Sequence, residues 1–247
     1  LNTELAERLR EAYGLNVALV LDGPDLPSNS LIEPLGLLVA DFLEETLTDG
    51  QLLGLSWGRT LAAAAKAITK LAKVDVVQAA GSPARLDLSQ NPTELVHRFA
   101  RAAGGLAYPL FGPMWVEDPE LVDKLTAEPS IADAMSRYDK IDALVVGVGS
   151  WRPQESCLCS GFPEDWRREA LKHNVLADIC ATLIDPDGQA VGSPLDSVGL
   201  CLSTEQLRRI PERIVAGGGL EKVDAIRAVL KGGWVTTLIT VASVARR

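Results

Sequence analysis

Ser56, Gly58, Arg59 and Thr60 stand together between two stretches of different character. Before them, Leu52-Leu53-Gly54-Leu55 is a short apolar run suited to a buried parallel strand. After them, Leu61-Ala62-Ala63-Ala64-Ala65-Lys66-Ala67-Ile68 is rich in alanine, the best helix former. Strand, tight turn, helix is the resulting reading. Such a turn gathers free backbone N–H groups and the positive end of a helix dipole at one point, which favours an anion. The two hydroxyls can donate hydrogen bonds. Arg59 brings a permanent charge on a planar fork that suits phosphate, and Gly58 removes a side chain where a ligand would approach. The same residues also fit an ordinary α/β turn that binds nothing. The G-x-x-x-x-G-K-[ST] and G-x-G-x-x-G spacings are both absent.

Gly217-Gly218-Gly219 repeats that logic, with a helix expected after it and Lys222 expected one turn in. Lysine near a helix N-terminus opposes the dipole, and a bound phosphate is one reason to find it there. The bland alternative is a solvated lysine beside Glu221. Two further turns fall at predicted strand ends. One covers residues 78–82, with polar Gln78. The other covers residues 147–152, with Gly147, Gly149 and Arg152. In open α/β sheets ligands sit at the C-terminal ends of strands, so these four turns are expected to converge there. Asp178, at the start of a predicted strand, either accepts hydrogen bonds from sugar hydroxyls or is a solvated end residue. No paired carboxylates, no Ser-His-Asp arrangement and no positioned histidine suggest general acid–base chemistry. His97 and His173 fall in predicted helices. Cys157-x-Cys159 has the wrong spacing for a zinc knuckle or a redox pair, and no metal or cofactor is expected.

The elements that must position these residues alternate. Helices are expected over residues 4–13, 31–47, 61–68, 93–103, 120–126, 131–138 and 163–173, and after Ser203 and after Gly219. Strands are expected over residues 16–21, 52–55, 74–80, 106–110, 141–148, 178–184, 213–216 and 234–240. Residues 195–202 read as a mixed strand region and residues 151–162 as an irregular loop. Alternation of this kind indicates an α/β domain with a mainly parallel sheet. The chain has 247 residues, 47% of them hydrophobic, enough for one large core or two smaller ones. Its formal net charge of -9 makes it a poor nucleic-acid binder by itself. No apolar run reaches transmembrane length and no signal peptide is visible, so no membrane partner and a cytoplasmic location are expected. The four cysteines fit a reducing compartment. The start without methionine suggests a piece of a longer chain.

Taken in order, the motifs resemble the effector-binding domain of SorC/DeoR-type sugar-responsive transcriptional regulators. They are Gly54-x-Ser56-Trp57-Gly58-Arg59-Thr60, Val76-Val77-Gln78, Val145-Val146-Gly147-Val148-Gly149, Asp178-Ile179-Cys180, Asp185-x-Asp187-Gly188, Ala216-Gly217-Gly218-x-x-Lys222-x-x-Ala225-Ile226, Leu230-Lys231-Gly232-Gly233 and Leu238-Ile239-Thr240. The resemblance covers nearly the whole chain. It implies a three-layer α/β sandwich with a small extra lobe, similar to glucosamine-6-phosphate deaminase, ribose-5-phosphate isomerase and CoA transferase-like folds. It implies non-covalent binding of a phosphorylated sugar without catalysis. By motif, Ser56, Gly58, Arg59 and Thr60 would line the first anion turn. Gln78, Gly147, Gly149 and Asp178 would face the sugar, and Gly217, Gly218 and Lys222 would hold a phosphate. The resemblance also implies a homodimer or homotetramer, and operator DNA reached through an N-terminal helix-turn-helix segment that this sequence does not contain. The whole chain, residues 1–247, would then be one effector domain. A sugar-phosphate isomerase or deaminase on the same fold, and a scaffold with a vestigial pocket, are the competing readings. Ala80 stands where some relatives carry a Schiff-base lysine, which excludes covalent capture there. Ala177 replaces the usual glycine, and Val241-Ala242 replaces the usual acidic pair.

Overall fold

The computed structural model describes residues 1–83, 91–152 and 154–247. Its strands, among the described residues, are β1 (Val17–Leu21), β2 (Leu52–Leu55), β3 (Asp75–Gln78), β4 (Ala107–Tyr108), β5 (Ala143–Gly147), β6 (Gly149–Ser150), β7 (Ala177–Ile179), β8 (Thr182–Ile184), β9 (Ala190–Val191), β10 (Glu212–Ala216) and β11 (Thr237–Val241). The helices are α1 (Thr3–Tyr13), α2 (Ser28–Thr46), α3 (Arg59–Ala67), α4 (Pro92–Ala103), α5 (Pro119–Thr126), α6 (Pro129–Met135), α7 (Cys157–Gly161), α8 (Glu164–Lys172), α9 (Leu195–Val198), α10 (Thr204–Arg209), α11 (Val223–Lys231) and α12 (Ala242–Ala245).

Seven strands form one parallel sheet in the order β1-β11-β10-β5-β2-β3-β4. Its strands β2 and β11 are buried throughout, as a sheet covered on both sides requires. From β2 the chain steps through α3 to β3, then through α4 to β4, toward one edge. From β5 it moves to β10, then through α11 to β11, toward the other edge. Right-handed crossovers in opposite directions place α3 and α4 on one face and α11 on the other. The result is a three-layer sandwich. The reversal lies between the neighbours β2 and β5, and that is where such sheets open a crevice at their C-terminal ends.

Local chemistry fixes the helix ends. Asn2 Oδ1 accepts from Leu5 N at 3.0 Å, Asn91 Oδ1 accepts from Thr93 N at 3.0 Å, and Ser203 with Gln206 closes a capping box. Helices α2 and α3 approach closely through Gly36, where a Cβ would lie 2.4 Å from that of Ala63. The alanines of α3 serve that contact as well as helix propensity.

A smaller antiparallel sheet, β6-β7-β8-β9, carries a second hydrophobic core built on Trp151, Leu158, Phe162 and Leu183. This is the expected extra lobe. It corrects three element readings. Residues 178–184 are not one strand but a hairpin, β7 and β8, reversed at Cys180 and Ala181 with φ of 44° and 70°. Residues 195–202 begin with α9 rather than a strand. Ser193 Oγ accepts from Leu195 N at 3.2 Å, and Asp196 Oδ2 accepts from Ser193 N at 2.9 Å, which starts a helix. Within residues 151–162 lies α7, capped by Ser156, whose Oγ accepts from Cys159 N at 3.1 Å; Pro153 lies outside the described residues.

Candidate functional site

A cavity of about 440 Å³ opens at the C-terminal ends of β2, β5 and β10, at the reversal of strand order. That volume is within the usual range for small-molecule sites. The main sheet supplies Ser56 through Leu61 after β2, Gly147 at the end of β5, and Ala216 to Gly218 at the end of β10. The lobe supplies Glu155, Ser156, Cys157 and Asp178. Helix α2 closes one side with Ser28, Ile32 and Leu35.

Ten of the residues singled out in the sequence meet here: Ser56, Gly58, Arg59, Thr60, Gly147, Gly149, Asp178, Gly217, Gly218 and Lys222 all line the cavity. Gln78 and Arg152 do not. The Gln78 side chain is fully buried. Its Nε2 donates to Ala80 O at 2.8 Å, and its Oε1 accepts from Thr93 Oγ1 and Leu110 N, both at 3.1 Å. The amide thus ties the end of β3 to α4 and to the segment after β4, and it does not line the cavity. Arg152 is exposed and its Nη2 donates to Leu171 O at 3.3 Å, beside α8. The Gly81 turn packs against Pro113 and Met114, so it too is structural.

The turn after β2 has the strand–glycine–helix build that was expected. Gly58 caps α3 with φ of 140°, a conformation that favours glycine. Ala62 N donates to Gly58 O at 2.9 Å, so the N–H groups of Arg59, Thr60 and Leu61 have no partner within the helix. Arg59 is the first residue of α3. Its Nη1 donates to Asn29 Oδ1, and its Nη2 lies 3.8 Å from Glu155 Oε2.

The second turn differs in detail. Lys222 is not one turn into α11 but caps it, at the end of a 3-10 turn over Leu220–Lys222. Nor is it a solvated surface lysine. It is half-buried, and its Nζ donates to Val148 O at 2.9 Å, the residue between β5 and β6. Burial and the neighbouring Arg59 charge pull its ammonium below the ordinary lysine range, against Asp178, Glu155 and Glu221, which act the other way. Two cations from two turns distant in sequence thus line one cavity.

Asp178, on β7, is 5% exposed. Its Oδ1 accepts from Trp151 Nε1 at 2.7 Å and from Ser156 Oγ. Burial raises its carboxyl above the usual range, offset in part by those two hydrogen bonds and by Lys222. Its Oδ2 takes no hydrogen bond from the described side chains and belongs to a residue lining the cavity. Gly149 pairs with Asp178 across the lobe sheet, and a Cβ there would lie 2.3 Å from Oδ1. Gly149 is thus required by the carboxylate, whereas a Cβ on Gly147 would meet only Ala216 O, at 4.0 Å. The protein leaves that space to the cavity.

Sequence spacing gave no sign of Asn29 or Glu155, whereas Ser156 left a readable signal, as a helix cap before Cys157. His97 is exposed on α4, and His173 ends α8 with its ring 3.1 Å from Glu169 Oε1; neither lines the cavity.

A family model described as "Putative sugar-binding domain" matches residues 1–247. The erythritol catabolism regulatory protein EryD of Brucella abortus is 30% identical over 244 residues, which is 96% of this chain and 76% of that protein. The deoxyribonucleoside regulator of Bacillus subtilis is 24% identical over 237 residues, covering 95% of this chain and 76% of that one. The full-length sorbitol operon regulator SorC of Klebsiella pneumoniae superposes with a TM-score of 0.91 at 21% identity, over 99% of this chain and 80% of that chain. A probable sor operon regulator of Shigella flexneri superposes with a TM-score of 0.90 at 22% identity, over 100% of this chain and 98% of that chain. The chain belongs to the sugar-binding domain family of SorC/DeoR-type transcriptional regulators, a regulatory domain rather than an enzyme.

Proposed function

We propose that the cavity binds a phosphorylated sugar, non-covalently, as the effector of a transcriptional regulator. The observation that carries this is the pairing of Arg59 and Lys222. Each follows a glycine-containing turn after a parallel strand, each borders the same cavity, and the charge of one depresses the pKa of the other. Two cations lining one cavity gain most from a dianion, and the free N–H groups at the start of α3 add donors. Asp178 Oδ2 is the acceptor for sugar hydroxyls, since Trp151 and Ser156 occupy its other oxygen.

The cavity walls come from the main sheet and from the lobe, which adds a second cluster of buried residues beside the main core. An effector touching both shifts their relative placement by its differential affinity for the two arrangements. That shift would modulate operator binding by a DNA-binding segment of the full-length regulator, acting as a homodimer or homotetramer. The test is a thermal-shift panel of phosphorylated sugars and their dephosphorylated forms. A ligand at one hundred times its dissociation constant stabilises by about 2.7 kcal/mol. Selective stabilisation by a phosphorylated form supports the reading, and none at millimolar concentration removes it.

A further inference from the structure

Arg59 does not stand free in the cavity. One nitrogen of its fork donates to Asn29 in the first turn of α2, and the other faces Glu155 at 3.8 Å. Glu155 belongs to the lobe, in the segment between β6 and α7, and its backbone N–H donates to Ser150 O at 2.8 Å. The pair therefore reaches from the main sheet to the lobe across the cavity mouth. Both side chains stay open to solvent, at 36% and 40% exposure. The separation is too long for a directed hydrogen bond, and exposed pairs of this kind are weak. Glu155 also sits near enough to Lys222 to favour its charged form. A carboxylate of the protein thus lies where two cations face the cavity, and a guanidinium fork accepts a carboxylate or a phosphate with the same geometry.

We propose that Glu155 is a specificity-determining residue that holds the Arg59 fork until a phosphate dianion displaces it. The inference rests on the phosphosugar reading of the cavity. A neutral sugar has no charge with which to compete for Arg59. A carboxylate ligand competes on equal terms with Glu155. A phosphate monoester carries about -1.5 to -2 charges at neutral pH and three acceptor oxygens, so it outcompetes a single, solvent-screened carboxylate. Displacement also releases Glu155 and its lobe segment from α3, which links occupancy of the anion turn to the lobe.

The experiment titrates inorganic phosphate, at constant ionic strength, into the parent chain, Glu155→Gln and Glu155→Asp, by calorimetry and thermal shift. Glu155→Gln is expected to bind phosphate roughly two- to fivefold more tightly, from the loss of the competing pair. Glu155→Asp keeps the charge but draws it back from the fork, and is expected to show part of the gain. Melting temperatures without phosphate report folding of each variant and are expected to match the parent. If the parent binds phosphate and Glu155→Gln binds it no better, the displacement idea fails while the phosphate site stands. A gain in Gln with none in Asp would assign the effect to general charge and would also overturn it. No phosphate response in either the parent or Glu155→Gln would overturn the phosphosugar reading and this inference together.

Discussion

Asp178 illustrates how one side chain serves packing and binding at once. Oδ1 is held by Trp151 and Ser156, while Oδ2 is left for the cavity. Burial raises the carboxyl, so the folded state favours the protonated form. The stability contribution of such a group is full below its unfolded pKa and is lost as pH rises through the folded pKa. Asp178→Asn keeps an acceptor for Trp151 and Ser156 and carries no charge. It is expected to raise the melting temperature at pH 7 to 8, with the advantage shrinking as pH falls through the raised folded pKa. Its affinity for the effector is expected to fall, because a donor replaces the free acceptor; melting curves across pH together with titrations check both. Gly147→Ala separates space from stability in a second way. The added methyl meets no backbone or side chain closer than 4.0 Å. Stability is expected to stay within about 0.5 kcal/mol, while effector affinity falls because the methyl enters the cavity. Equal affinity in the alanine variant would mean that the ligand does not approach the end of β5.

The Cys180–Ala181 reversal is where sequence reading and structure part most clearly. Two successive positive φ values make a tight hairpin turn, which sequences usually mark with asparagine or glycine. Here cysteine and alanine occupy it, and the run Asp178-Ile179-Cys180-Ala181-Thr182-Leu183-Ile184 therefore reads as one apolar strand. Left-handed backbone at such residues costs about 1–2 kcal/mol each, sustained by burial of the turn. A β-branched residue tolerates that conformation far less. Ala181→Val is expected to lose about 2 kcal/mol or more, a fall of roughly 4–8 °C in melting temperature. Ala181→Gly is expected to stay within about 1 kcal/mol of the parent, as relief of strain offsets lost burial. The elements that were legible had explicit signals: the alanine run of α3, the Asn91-Pro92 start of α4, the Ser203 and Gln206 box, and the short apolar runs of β1, β2 and β5. The site was legible where glycines and cations share a strand–helix turn, as at residues 56–60 and 217–222. It was not legible where a side chain's direction decides. Gln78 and Arg152 stand in the right turns, but Gln78 binds backbone and Arg152 faces α8. Glu155 reaches the cavity through tertiary placement alone.

At the scale of the molecule, strand order explains why one cavity collects residues so far apart in sequence. The sheet reverses direction between β2 and β5, so the loops after these strands diverge and leave a crevice at their C-terminal ends. The lobe, with its own core, covers that crevice and brings Asp178 and Glu155 to face Arg59 and Lys222. Lys222 also bonds Val148 O at the start of the lobe, so it touches both parts. Whether the two cations hold a phosphate is measured by isothermal titration of the parent and Lys222→Ala with a sugar phosphate selected by the thermal-shift panel, and with its dephosphorylated form. Hydrogen bonds to charged groups contribute roughly 1.5–3 kcal/mol each. Lys222→Ala is therefore expected to bind the phosphosugar at least about tenfold more weakly. Its own stability should change little, because it loses the bond to Val148 but sheds a burial penalty and the repulsion from Arg59. The dephosphorylated sugar is expected to bind weakly and alike to both proteins. Equal affinity of the parent and Lys222→Ala for the phosphosugar, or equal affinity of the parent for both ligands, would mean that Arg59 and Lys222 do not hold a phosphate together.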